Sequence, residues 1–109
     1  MSNVYVKICG IKDIEIAEHA VRCGASFLGF VFYKNSKRNI SIDKCKEILD
    51  KIGSKVATVA VTVNPNCEDL RIYSEMKLTH VQLHGNESIN EVKQIRENYN
   101  FKIIKSFSI

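Results

Sequence analysis

The sequence contains no tryptophan, a single proline (Pro65) and only five glycines among 109 residues. So few chain breakers exclude collagen-like, Pro/Gly-rich or low-complexity architectures. Long hydrophobic runs are also lacking. The most apolar stretch, residues 24–33, is about half of the ~20 residues a membrane span requires, so no membrane partner is expected. Charge is not segregated: 16 Lys and Arg are interleaved with 12 Asp and Glu, for a formal net charge of +4. Nucleic-acid binding calls for basic residues gathered on one face, and no nucleic-acid partner is expected. The four cysteines, Cys9, Cys23, Cys45 and Cys67, lack the C-x-x-C pairing of a structural zinc site, and no metal is expected. A disulfide framework would accompany a secretory signal. Residues 1–10 reach Lys7 with no apolar segment or cleavage site behind it, which points to a reduced, cytoplasmic setting.

What is present is the composition of an ordinary globular domain, 45% hydrophobic and 26% charged. A chain of this length buries roughly 60–70% of its unfolded surface, enough for one core, so residues 1–109 are expected to form a single domain. Short β-branched and aromatic runs begin near Val4, Phe27, Val56, Thr79 and Phe101. Between them, apolar residues recur every three or four positions. The spacing suits βαβ units, which take roughly 30 residues each, and predicts an α/β fold of about four and a half βα units with parallel strands.

Local signals mark the helices. Asp13 opens the first and Gly24 closes it. Ser41 caps the second, whose stripe is Ile42, Cys45, Ile48, Leu49 and Ile52, with Gly53 ending it. Asn64 and Pro65 read as an N-cap with proline at the first helical position, ahead of Leu70 and Tyr73. Ser88 and Glu91 spell a capping box, with Ile89, Val92, Ile95 and Tyr99 on one face.

Candidate chemistry lies at strand ends. Side chains alternate along a strand, so Lys7 and Cys9 share one face of the first, and His80, Gln82 and His84 share one face of the fourth. Parallel strands buried on both sides normally read as continuous apolar runs, so two polar faces need an explanation. Cys9 and His84 each precede a glycine at the carboxyl end of a strand, where parallel α/β folds bind ligands. The bland alternatives are a small buried thiol for Cys9, a satisfied histidine for His80 and a backbone-bonding amide for Gln82. Residues 33–39 carry Lys34, Lys37 and Arg38 at the same end. Arg38 suits a carboxylate, although a solvated basic loop explains the charge equally.

Five ordered motifs resemble the phosphoribosylanthranilate isomerase family: Lys7 to Ile11, Gly24-Ala25 leading into Leu28 to Tyr33, Ser36 to Arg38 with Ile40-Ser41, Val61-x-Val63-Asn64, and Val81 to Gly85 with Glu87. Thr62 departs from the pattern, where the family usually has an apolar residue, and weakens the case for core packing there. The resemblance implies the N-terminal part of a TIM barrel and an Amadori rearrangement of N-(5-phosphoribosyl)anthranilate in tryptophan biosynthesis. Acid–base catalysis would suffice, with no cofactor. By position it implies Cys9 as the general base and Arg38 as the holder of the anthranilate carboxylate, with Gln82 and His84 lining the pocket. A thiol with an ordinary pKa near 8.5 needs its thiolate favoured, and Lys7 on the same strand face is assigned that influence and a place in the substrate site.

The family's general acid, an aspartate of the sixth strand, and its phosphate loops after the seventh and eighth have no counterpart here. The sequence ends at Phe107-Ser108-Ile109 behind the fifth strand run. At less than half of the ~250 residues of a typical barrel, the chain is expected to be truncated and incomplete alone, with strand edges free to form a homo-oligomer. Two alternatives stand beside this reading. One is a non-catalytic half-barrel module for binding or assembly; the other is a flavodoxin-like doubly wound domain.

Overall fold

The computed structural model describes residues 4–107. The expectation for Ser108 and Ile109 lies outside the described residues. Nine elements alternate: β1 (Lys7–Cys9), α1 (Ile14–Arg22), β2 (Phe27–Val31), α2 (Ile42–Ile52), β3 (Ala57–Thr62), α3 (Cys67–Glu75), β4 (His80–Leu83), α4 (Ile89–Asn98) and β5 (Lys102–Lys105). The strands form one parallel sheet in the order β1-β2-β3-β4-β5. With the right-handed crossovers that βαβ units take, this order puts successive helices on the same face, as in consecutive units of a (β/α)₈ barrel. A flavodoxin-like domain has the order 2-1-3-4-5 instead, so the topology excludes that alternative.

The register follows from alternation. Leu28, Phe30, Ala60, Val81 and Leu83 point toward the helices and join Ala17, Ala20, Cys45, Ile48, Ile52, Leu70, Tyr73 and Ile95 in the main hydrophobic cluster. Cys45 packs there as a fully buried hydrophobe, and burial pushes its thiol pKa up to about 12. Burial likewise raises the Tyr73 phenol, with a smaller push from the Asp69 charge. Thr62 is not the packing defect expected of a hydroxyl in the core: it is buried, and its Oγ1 donates to the Gln82 carbonyl at 2.9 Å.

The helix caps largely match the sequence signals. Asp13, Ser41 and Ser88 each accept an amide of their first turn, and Gly24 and Gly53 leave their helices at positive φ. The third helix differs. Its N-cap is Asn66, in a reciprocal capping box with Asp69, whereas Asn64 has φ 45° and turns the chain two residues earlier. Asparagine tolerates this left-handed backbone, and the Asn64 amide is drawn toward Glu87 instead. Two further expectations shift. Regular β1 starts at Lys7, with Val4 to Val6 exposed, and Ile89 at the first turn of α4 is 75% exposed, so the buried anchor of that helix is Ile95.

Candidate active site

The strands' carboxyl ends bring distant residues together. Cys9 Sγ leaves β1 on the face opposite the helices, beside Gly29 of β2 in the paired register. A Cβ at Gly29 would lie 3.2 Å from that sulfur and 3.3 Å from Val61 Cγ2, so a side chain there would crowd the thiol. The chain then turns sharply: Gly10 has φ +82°, and the amides of Gly10 and Ile11 both donate to the Gly29 carbonyl, at 3.0 and 3.1 Å. The loop after β2 folds back over this turn. Ser36 Oγ accepts the Arg38 amide at 3.1 Å, and the Arg38 side chain lies against Gly10.

A cleft of about 190 Å³ is lined by Cys9, Val31, Tyr33, Ser36, Arg38, Val61, Val63, Gln82 and His84. Four of the five sequence candidates thus meet in one place. Lys7 does not line it; it sits on the same face of β1 but two residues nearer the amino end, paired with Phe27. His80 is likewise one step below, packed edge-on to Phe27 at 5.3 Å between ring centres. Its pKa is lowered, first by desolvation and then by the Lys102 charge, which matches the satisfied-histidine reading.

Two polar groups of the cleft are without full partners among the described residues. Arg38 has no carboxylate partner among the described residues, so its guanidinium is a free bidentate donor. Gln82 Nε2 donates to Ser106 Oγ at 2.9 Å, but its buried Oε1 accepts nothing. The bland expectation for Gln82, bonds to neighbouring backbone, is therefore not what the fold contains. Depressions of about 570 and 700 Å³ lie elsewhere, the first at the amino ends of β2 to β4 and the second around His84, Glu87 and Lys105. Both are larger, but neither gathers a thiol, a free guanidinium and an unpartnered amide oxygen. Among the described residues no group of three or more His, Cys, Asp or Glu could hold a metal ion, and no helix is long and apolar enough to cross a membrane.

Behind His84 lies a polar cluster that sequence reasoning left without a role. Lys105 Nζ donates to Gly85 O at 2.8 Å, to Glu87 Oε1 at 2.9 Å and more weakly to Leu83 O at 3.4 Å. The Glu87 carboxylate, whose side chain is 1% exposed, also accepts the amides of Asn64 and Gly85. Burial pushes the Glu87 pKa up, but hydrogen bonding from Lys105 and the backbone outweighs it and holds the carboxyl below the usual carboxylate range. Asn64 Oδ1 accepts the Asn86 amide at 3.0 Å, which ties the loops after β3 and β4 together. One signal was available: Lys105 shares by alternation the helix-facing side of Ile103, where a lysine requires a buried partner.

Known proteins match this chain over nearly all of it. The family model described as N-(5'-phosphoribosyl)anthranilate (PRA) isomerase matches residues 6–109. An N-(5'-phosphoribosyl)anthranilate isomerase of Sinorhizobium fredii is 41% identical over 105 residues, which are 95% of this chain and 47% of that protein. One from Bacillus cereus is 42% identical, again over 95% of this chain and 49% of its own. The crystal structure of the Thermotoga maritima phosphoribosyl anthranilate isomerase superposes with a TM-score of 0.87 at 42% identity, covering 94% of this chain and 49% of that one. Another isomerase structure, solved in complex with reduced 1-(o-carboxyphenylamino)-1-deoxyribulose 5-phosphate, has the same TM-score and identity and covers 94% of this chain and 52% of its own. The chain spans about half the length of the curated relatives it matches. With the family model matching residues 6–109 and relatives about 40% identical over nearly all of it, the chain belongs to the N-(5'-phosphoribosyl)anthranilate isomerase family.

Proposed function

We propose that these residues supply the base and the carboxylate clamp of a phosphoribosylanthranilate isomerase. The reaction is the Amadori rearrangement of N-(5-phosphoribosyl)anthranilate to 1-(2-carboxyphenylamino)-1-deoxyribulose 5-phosphate in tryptophan biosynthesis. One observation carries the reading: a thiol and a guanidinium without a carboxylate partner open into one cleft at the carboxyl end of the sheet. The substrate is an anion with an acidic carbon a few bonds away, and the two groups answer those two features.

In this reading Arg38 receives the anthranilate carboxylate through paired N–H donors, which orients the ring and its amino nitrogen. Once the ribose ring has opened to an iminium, the C2 hydrogen is acidified. Cys9 Sγ then takes that proton, and the electron pair shifts to give the enol amine, which tautomerises to the ketose. Gln82 Oε1 accepts a substrate hydroxyl or amine, and His84 closes the wall of the cleft; Lys7 acts on the site only from below, along β1. The acid that opens the ring and the phosphate grip are assigned to no residue of the five strands. Residues 1–109 serve as one domain, the N-terminal part of the barrel, in a cytoplasmic enzyme. The outer edges of β1 and β5, which pair with no strand among the described residues, are where other strands or a second copy would add.

The test is a fluorescence assay of substrate loss with the full gene product and its Cys9→Ser variant. Turnover that falls about a hundredfold or more with unchanged thermal stability supports the assignment. Near-normal turnover by the variant sinks Cys9 as the base, and absence of turnover by the unsubstituted protein favours the non-catalytic module.

A further inference from the structure

The carboxylate and the reacting carbon of the substrate are separated by only a few bonds, so the clamp must lie close against the base. Nothing in the sequence distance between Cys9 and Arg38 provides that closeness. In the structure, Gly10, next to Cys9 in the chain, lies against the Arg38 side chain. A Cβ built on Gly10 would lie 2.5 Å from Arg38 Cδ and 3.2 Å from both Nε and Nη1. The stem and the guanidinium therefore lie against Gly10, in the volume any other side chain would fill. The turn is held in place by the amides of Gly10 and Ile11, both of which donate to the Gly29 carbonyl.

We propose that Gly10 is a positioning residue for Arg38: by lacking a side chain it sets how closely the carboxylate clamp approaches the base, and so sets affinity for the anthranilate end of the substrate. The inference rests on the reading of Arg38 as that clamp. Gly10 touches no reacting atom and acts only through the arginine. Its positive φ supplies a second, purely structural reason for glycine, since an L-residue there is strained whatever the space. The two reasons separate in a double-mutant cycle, because backbone strain is paid whether or not Arg38 is present.

The experiment titrates anthranilate itself, followed by its fluorescence, into the full gene product and into Gly10→Ala, Arg38→Ala and the double variant, with the KM of phosphoribosylanthranilate measured in parallel. Gly10→Asn repeats the series with the residue that best tolerates left-handed backbone, in case the alanine variant folds poorly. The expected result is that Gly10→Ala weakens anthranilate binding about tenfold or more, the scale of hydrogen bonds lost from a charged group. In the Arg38→Ala background the same change should act by no more than about twofold. Independent losses that multiply, or Gly10 variants that bind as the unsubstituted protein does, overturn the inference and leave the clamp intact. Unchanged binding in Arg38→Ala overturns the clamp reading, and the inference falls with it.

Discussion

The two ends of the sheet treat polar groups in opposite ways. At the amino end, between β3 and β4, Thr58 and Thr79 satisfy each other: the Thr58 amide donates to Thr79 Oγ1 at 2.8 Å, and that hydroxyl donates to the Thr58 carbonyl at 2.9 Å. At the carboxyl end, among the described residues, Gln82 Oε1 is buried with no partner and Arg38 has no carboxylate. Polar groups that satisfy each other contribute stability and leave no donor or acceptor of that pair for a ligand. Unpartnered donors and acceptors forgo some of that stability, a division that parallels the one between the bottom and top of (β/α)₈ barrels.

Lys105 offers the strongest way to break this comparison, because it is a paired, largely buried charge at the carboxyl end. Lys105→Met leaves the buried Glu87 carboxylate uncompensated and should cost about 3–5 kcal/mol in a urea unfolding experiment. A loss below about 1 kcal/mol would mean that the amides of Asn64 and Gly85 hold Glu87 unaided. The same pair sets a pH dependence. Because the folded pKa of Glu87 lies below the unfolded one, its contribution is complete above the ordinary carboxylate range and disappears as pH falls through the lowered value. Glu87→Gln should therefore flatten the acid limb of the stability profile, and an unchanged acid limb would contradict the assignment.

A substitution at the opposite end sharpens the contrast. Thr79→Val leaves the buried Thr58 amide without its side-chain acceptor and should cost about 1–3 kcal/mol while turnover per folded molecule stays the same. Loss of turnover in step with stability would blur the division between the ends. The smallest effect belongs to Arg71. Its bonds to Glu68 and Glu75 on α3 are short, at 2.5 and 2.6 Å, but the arginine side chain is 53% exposed. Arg71→Ala should leave the urea midpoint essentially where it was, in contrast to Lys105→Met, because water and salt screen an exposed pair.

Much of this architecture was legible before any coordinates. The capping residues Asp13, Ser41 and Ser88 and the closing glycines Gly24 and Gly53 act where the sequence put them, because a cap is a contact within three or four residues. The polar faces of β1 and β4 put Cys9, Gln82 and His84 on the cleft side of the sheet because alternation is a local rule. Asn64 misled for an equally physical reason: it looks like a cap before Pro65, but a carboxylate 23 residues on captures its amide. Thr62 looked like a flaw in the core until the Gln82 carbonyl supplied its acceptor.

The sequence alone determined the βα alternation, the boundaries of most helices and the residue types available at each strand end, since all of these follow from periodicity and near-neighbour hydrogen bonding. Tertiary structure decided the strand order, the gathering of Cys9, Arg38, Gln82 and His84 around one cleft without Lys7, and the pairing of Lys105 with Glu87 across 18 residues. Those outcomes depend on the register of strands far apart in the chain and on the volume each side chain leaves its neighbours. Gly10 and Gly29 show it most directly, as each matters through the space it leaves to a side chain of another element.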